Sequence, residues 1–209
     1  MKKTKEEAEI TKSMLISSAF EVLSKTSYKA ARLEDIAHDV GVTRGAIYWH
    51  FENKLNLYKE LINIAFENSM KEILNILDGE MQPLKKVEAV MNYLLGEKTY
   101  NHQKSAQIYN LLFIEQPEGL EKTLFQVEQL FSKLFEKHTM VLEAGIADGS
   151  IKKDINTNFE PRAFYNFLWG YFTTSDRFFK GFDKEMLTDF VQRNFINTIA
   201  VNKKSDNGT

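Results

Sequence analysis

Within eight residues the chain places Thr43, Arg44, Gly45, Tyr48, Trp49 and His50, and no residue from Val40 to Phe51 is acidic. Hydroxyls, an imidazole, a guanidinium and two aromatic faces make poor acid–base machinery but good hydrogen-bonding partners for phosphate oxygens and base edges. Gly45 adds to this. Inside a helix it costs about 1 kcal/mol against Ala, and close approach of backbone to a ligand is one reason to accept that cost.

Two short helices are needed to present these residues. Leu33, Ile36, Ala37 and Val40 recur at three- and four-residue spacing, the pattern of one buried helical stripe. Ala37 is small enough for a second helix to cross closely over it. Gly41 follows and predicts a left-handed helix end. Val42 turns back toward the core, and Thr43 is an N-cap type for the next helix. Ile47 and Phe51 face inward at i,i+4, which leaves Arg44, Gly45 and Tyr48 on the opposite side, flanked by Trp49 and His50. This is a helix-turn-helix pattern, whose second helix lies in the major groove of DNA. A plain helical hairpin would bury the same apolar residues. A solvated hairpin face would however carry Glu and Lys, so the outward face favours the DNA reading.

Other chemistry finds little support. His38, His50, His102 and His138 fall in separate segments, with no partner at metal-ligand spacing. There is no glycine-rich phosphate loop and no nucleophile elbow. The expectation is a protein that is not an enzyme, with no metal and no cofactor.

Composition sets the frame. The 209 residues are 43% hydrophobic, enough for one or two domains with a real core. Three prolines and no cysteine suit an all-helical chain without disulfides. No apolar run approaches the ~20 residues of a membrane span, and MKKTKEEAEI lacks a signal-peptide core, so the expected location is the cytoplasm with no membrane partner. Net charge is −2, and basic residues barely outnumber acidic ones over residues 1–60. Positive charge must therefore be placed rather than plentiful. The candidates are Lys2, Lys3, Lys5, Arg32, Arg44 and Lys54.

Periodicity predicts a first helix over residues 6–24, with Ile10, Met14, Leu15, Ala19, Phe20 and Leu23 as its buried stripe. Asn53 should cap a long helix running to Asp78–Gly79. Further helices are expected over 84–97, 103–115, 118–144, 160–179 and 184–201, with a turn at 145–150 and a polar tail. From Phe159 to Phe182 ten of 24 residues are aromatic, against 12% for the whole chain. A helix apolar around most of its girth is buried on two sides, and a second copy of the chain is the simplest cover for the outer one. Trp169, Phe172, Leu187, Val191, Phe195 and Ile199 are the expected dimer contacts. Ordinary core is the alternative for any one of these aromatics. As a set with Tyr93 and Met140, they also suit an apolar effector pocket of several hundred Å³. Its expected lining is Met91, Leu94, Tyr109, Phe113, Phe164, Phe167, Leu168 and Tyr171, adjoining the long helix at Phe66 and Met70.

The stretch VTRGAIYWHFENKLNLY, Val42 to Tyr58, resembles the signature of the TetR family of bacterial transcriptional repressors. Residues 4–24 are similar to that family's first helix, most of all in its Acr-type regulators of multidrug efflux. Ser27 departs from the usual Gly, and Ala31–Arg32 from the usual Thr followed by Thr or Ser, though Arg32 could reach a phosphate itself. The resemblance implies that Thr43, Tyr48, Trp49, His50 and Lys54 fix register on phosphates while Arg44 reads a guanine edge. It also implies an effector-binding and dimerisation domain beyond the helix-turn-helix.

The expected fold class is therefore all-α. A three-helix helix-turn-helix DNA-binding domain over 1–54 is followed by an α-helical ligand-binding and dimerisation bundle over 55–209. The expected function is a repressor that binds a palindromic double-stranded operator as a homodimer. Release by a small hydrophobic effector follows, with an efflux pump as the regulated target. Two alternatives stand beside it: an effector-free DNA-bound structural or protein-recruiting module, and, less favoured, an enzyme bearing a helix-turn-helix.

Overall fold

A computed structural model describes residues 5–96, 105, 106, 108, 109, 111–178, 180, 181 and 183–201. Lys2, Lys3, His102, Phe179, Phe182, the start of the helix expected over 103–115 and the polar tail lie outside these residues. The described elements are helical, as the proline-poor periodic sequence requires. They are α1 (Lys5–Lys25), α2 (Leu33–Asp39), α3 (Arg44–Phe51), α4 (Lys54–Asp78), α5 (Pro83–Leu94), a π-turn (Leu111–Glu115), α6 (Glu121–Ala147), α7 (Phe159–Phe178) and α8 (Lys184–Val191). A second π-turn (Gln192–Ile196) and a last helical turn (Asn197–Ile199) extend α8. Among the described residues the extended pairing is a single antiparallel bridge, Ile151 to Ala200.

The chain packs as two units, Met1–Ser69 with Tyr100–Glu128, and Met70–Thr99 with Gln129–Thr209. This division by packing falls inside α4 and is a different one from the functional division expected at residue 54.

In the first unit, α1 to α3 close around Leu15, Ala19, Leu23, Leu33, Ile36 and Ile47, all nearly inaccessible. The buried stripe of α1 differs from the expected one. Thr11, Leu15, Ser18, Ala19 and Leu23 are inside, whereas Ile10 and Met14 are 55% and 49% exposed. Two polar residues earn their inward place by local bonds. Thr11 donates to the Glu7 carbonyl at 2.7 Å, and Ser18 donates to Asp39 Oδ2 at 2.7 Å, tying α1 to α2. A hydroxyl with such a partner can replace an apolar side chain in a stripe, which hydrophobicity alone does not reveal. Along α4 the side chains of Leu57, Tyr58, Leu61 and Ile62 are wholly buried, and the Tyr58 hydroxyl donates to the Ile108 carbonyl at 3.3 Å. Asn53 caps this helix as expected, its Oδ1 accepting the Asn56 N–H at 2.9 Å.

In the second unit α5 opens on Pro83, a residue suited to the first helical turn. Val90 and Met91 of α5, Leu134 and Leu142 of α6, Leu168 of α7 and Val191 of α8 are buried. α6 runs through the turn expected at 145, ending at Ala147. Gly145 lies within the helix. A Cβ there would stand 2.5 Å from Ile151 Cδ1, so the absent side chain makes room for Ile151 against the helix. Phe172, Leu187, Val191 and Ile199, expected at a dimer interface, are buried within this unit instead. Each lies on the inner side of an amphipathic helix, and the large apolar residues exposed on α7 and α8 include Phe159, Phe178, Met186 and Phe190.

Candidate nucleic-acid interface

The geometry begins with the turn between α2 and α3. Gly41 has φ +73°, the left-handed conformation that a Cβ disfavours. Its N–H donates to the His38 carbonyl at 3.0 Å, and the Val42 N–H donates to the Ala37 carbonyl at 2.9 Å. These are the two bonds of a Schellman helix end, which satisfies carbonyls that α2 leaves open. The chain then re-enters a helix at Thr43, whose Oγ1 accepts the Ala46 N–H at 3.3 Å. Ile47 and Phe51 are 0% and 2% exposed, which fixes the rotation of α3 about its axis.

With that rotation fixed, the opposite face carries the candidate contacts. Arg44 and Trp49 are 70% and 72% exposed. A Cβ on Gly45 would meet nothing closer than Thr43 Oγ1 at 3.8 Å, so its backbone is open to an approaching surface. Tyr48 is half-buried and donates its hydroxyl to Glu34 Oε1 at 3.4 Å. His50 stands edge-on to the Trp49 ring at 4.6 Å between centroids. Thr43, Arg44, Gly45, Tyr48, Trp49 and His50 are thus gathered on one short helix.

Arg32 and Lys54 are placed differently. Arg32 occupies the N-cap position of α2 with an exposed side chain and makes no cap bond. Ser27 closes the turn before α2, its Oγ accepting the Ala30 N–H at 3.1 Å. Lys54, expected on a phosphate, points to the same turn. Its Nζ donates to the carbonyls of Tyr28 at 2.6 Å, Ala31 at 3.0 Å and Lys29 at 3.5 Å, and lies 4.5 Å from the Tyr28 ring centroid. An ammonium has three N–H donors, so these carbonyls employ all of them. Sequence reasoning missed Glu34, because the acid that meets Arg44 comes from α2 and not from α3.

The expected effector residues divide between the units. Phe66, Tyr109 and Phe113 belong to the first unit, where Tyr109 lies 4.5 Å from Phe66 and stacks on Phe113 at 4.4 Å. Met70, Met91, Leu94, Phe164, Phe167, Leu168 and Tyr171 belong to the second. There Met70, Met91, Leu94, Phe164 and Leu168 are buried, while Phe167 is half-buried between Phe190 and Phe195 at 5.2 and 5.3 Å. Tyr171 is half-buried as well, and Met140 is 56% exposed. A cavity of about 20 Å³ lies in this unit between Val87, His138, Glu160, Phe164 and Phe195. It has room for about one water, and of the expected lining it contains Phe164 alone. Beside it His138 is 2% exposed, with Nδ1 3.3 Å from the Tyr165 hydroxyl. Burial pushes the imidazole down to about 4 and raises the Tyr165 phenol, so both are neutral near pH 7. Among the described residues no cluster of potential metal ligands occurs, and no described helix is long and apolar enough to cross a membrane.

A Schellman turn, a capped second helix and an outward face bearing Arg44 and aromatic side chains define a helix-turn-helix. Residues 15–61 match the family model described as bacterial regulatory proteins, tetR family. Residues 15–61 are thus a TetR-family N-terminal domain. The chain is 30% identical over 118 residues to the HTH-type transcriptional regulator AcrR of Shigella flexneri, covering 54% of this chain and 52% of that one. It is 47% identical over 60 residues to the probable acrEF/envCD operon repressor of Escherichia coli strain K12, covering 29% and 27%. The match thus spans about half the length of the first relative and about a quarter of the second. Among solved structures it resembles NalD, the secondary repressor of the MexAB-OprM multidrug efflux pump of Pseudomonas aeruginosa. The TM-score is 0.70 at 20% identity, over 95% of this chain and all of that one. That likeness is one of fold.

Proposed function

We infer that this chain is a ligand-responsive transcriptional repressor acting in the cytoplasm, which binds a palindromic double-stranded operator as a homodimer. The observation that carries the DNA-binding part is the outer face of α3. Arg44 and Trp49 are more than two-thirds exposed there on a helix whose other side is locked by Ile47 and Phe51. Two such helices in a dimer would enter successive major grooves about 34 Å apart or somewhat more. Arg44 reads a guanine edge, while Thr43, Tyr48, Trp49 and His50 set the register on phosphates, with Arg32 reaching a neighbouring one. Lys54 serves by holding the turn before α2 in place. The exposed Phe178, Met186 and Phe190 support association of two copies through α7 and α8.

A small hydrophobic effector releases the DNA. The aromatic content of α7, with Phe164, Phe167, Leu168 and Tyr171, supports this reading. By linkage the effector binds the DNA-free form more tightly, and a 100-fold preference corresponds to about 2.7 kcal/mol. The regulated target proposed is an efflux pump, after the sequence resemblance of the N-terminal segment to Acr-type regulators of multidrug efflux. The experiment selects duplexes from a randomised pool with the full chain and then titrates a panel of lipophilic cations and neutral aromatics against the complex. Selection of a palindrome and its release by one of the panel bear the reading out. A palindrome that no compound releases removes the effector, and failure to enrich any duplex removes DNA binding.

A further inference from the structure

Glu34 stands in the first turn of α2, outside the stretch whose freedom from acids points to DNA. Its Oε1 lies 3.0 Å from Arg44 Nε and accepts the Tyr48 hydroxyl at 3.4 Å. The Arg44 guanidinium carbon in turn lies 5.3 Å from the centroid of the Tyr48 ring. One carboxylate oxygen therefore holds two of the outward side chains of α3 in a single arrangement.

We propose that Glu34 is a specificity-determining residue: it positions Arg44 for a base edge and weakens binding to DNA of any other sequence. This rests on the DNA-binding reading above.

The argument starts from the donors of Arg44. A guanidinium has five N–H groups in a rigid fork. Glu34 engages the one on Nε, and the four on the terminal nitrogens remain. Those terminal nitrogens offer the parallel pair that guanine O6 and N7 accept. An arginine 70% exposed would otherwise sample many rotamers and meet backbone phosphates as readily as bases. Fixing the side chain in the free protein removes an ordering cost from the binding step.

The same carboxylate opposes binding that carries no sequence information. Phosphate contacts dominate non-specific affinity through the positive charge they engage. A paired Arg44 presents less net charge to a phosphate, and Glu34 itself is repelled by the duplex. Only a partner that satisfies the remaining fork repays that repulsion. Fold stability gives no competing reason for the pair, since exposed ion pairs contribute little. Replacing Glu34 should accordingly leave the protein folded.

The test uses the full chain, duplexes enriched by the wild-type protein from a randomised pool, all their single-base-pair variants and one unselected duplex. Affinities are measured by fluorescence anisotropy at fixed salt. Glu34→Ala is expected to reduce discrimination at the base pair read by Arg44 about tenfold, within the range of one bidentate contact. Discrimination at other positions stays, and the unselected duplex binds about threefold more tightly because a repulsive charge is gone. Glu34→Gln retains an acceptor oxygen for both partners, so it keeps the discrimination while tightening the unselected duplex. In an Arg44→Ala background, Glu34→Ala changes discrimination at no base pair. If the wild-type protein binds its selected duplex and Glu34→Ala discriminates as well as wild type at every position, the role of Glu34 is overturned and DNA binding stands. If the wild-type protein enriches no duplex, both fall together.

Discussion

The Glu115 carboxylate accepts the backbone N–H of Tyr28 through both oxygens, at 2.9 and 3.1 Å, across 87 residues of sequence. Tyr28 lies in the turn between α1 and α2, and Glu115 ends the π-turn Leu111–Glu115 of the same packing unit. The turn that leads into the helix-turn-helix is thus anchored by a residue far outside that motif. The Tyr28 ring also lies 5.1 Å from the ring of Tyr58, itself wholly buried.

Glu115→Ala should therefore destabilise the first unit without touching the α3 face. A hydrogen bond to a charged group contributes about 1.5–3 kcal/mol, and the Tyr28 amide is left without its acceptor. Urea unfolding followed by circular dichroism measures the loss. Unchanged stability would show that water replaces the carboxylate at no cost.

Lys54→Met keeps the alkyl stem and removes the ammonium that binds three carbonyls of the same turn. We expect a loss of about 1–3 kcal/mol in unfolding free energy. The salt dependence of DNA binding should hardly change. A phosphate role would give the reverse, with normal stability and a salt slope shallower by about one.

For Arg44→Ala, operator affinity should fall by about 1–3 kcal/mol, with discrimination relaxed at one base pair per half-site. The exposed side chain contributes little to the fold, so thermal unfolding should match wild type. Intact discrimination at every base pair of the selected duplex would take Arg44 out of base reading.

His138 predicts a pH dependence. Its folded-state value is depressed from 6.5 to about 4 by burial, so the unfolded chain takes up the proton first as pH falls. The stability associated with the neutral ring is fully present above about pH 6.5 and is lost progressively toward pH 4. A shift of this size is worth roughly 3 kcal/mol. Denaturation midpoints measured from pH 7.5 to 4.5 should decline, and His138→Gln should flatten that part of the decline. An equally steep profile in the variant would assign it to other groups.

The legible parts of the sequence were those governed by local geometry. Gly41, Thr43, Ile47 and Phe51 act over one helical turn, and each stands where its residue type requires. What escaped were relations between elements. Ile10 and Met14 fit the apolar period of α1, yet Thr11 and Ser18 take the inner face through bonds that hydropathy does not register. Lys54 reads as surface charge until three carbonyls of a distant turn converge on it. Glu34 meets Arg44 only because the Schellman turn folds α3 back across α2. Leu187 and Val191 are apolar in a way that suits an interface as well as a core, and sequence spacing cannot separate the two.

The central claim is that the outer face of α3 reads DNA sequence. Anisotropy titrations of the full chain against its selected duplex and an unselected one, repeated across salt concentrations, test it most directly. The account predicts at least a thousandfold preference for the selected duplex, the lower end for sequence-specific binders, with log affinity falling linearly as log salt rises. Equal affinity for both duplexes, or binding indifferent to salt, would contradict it.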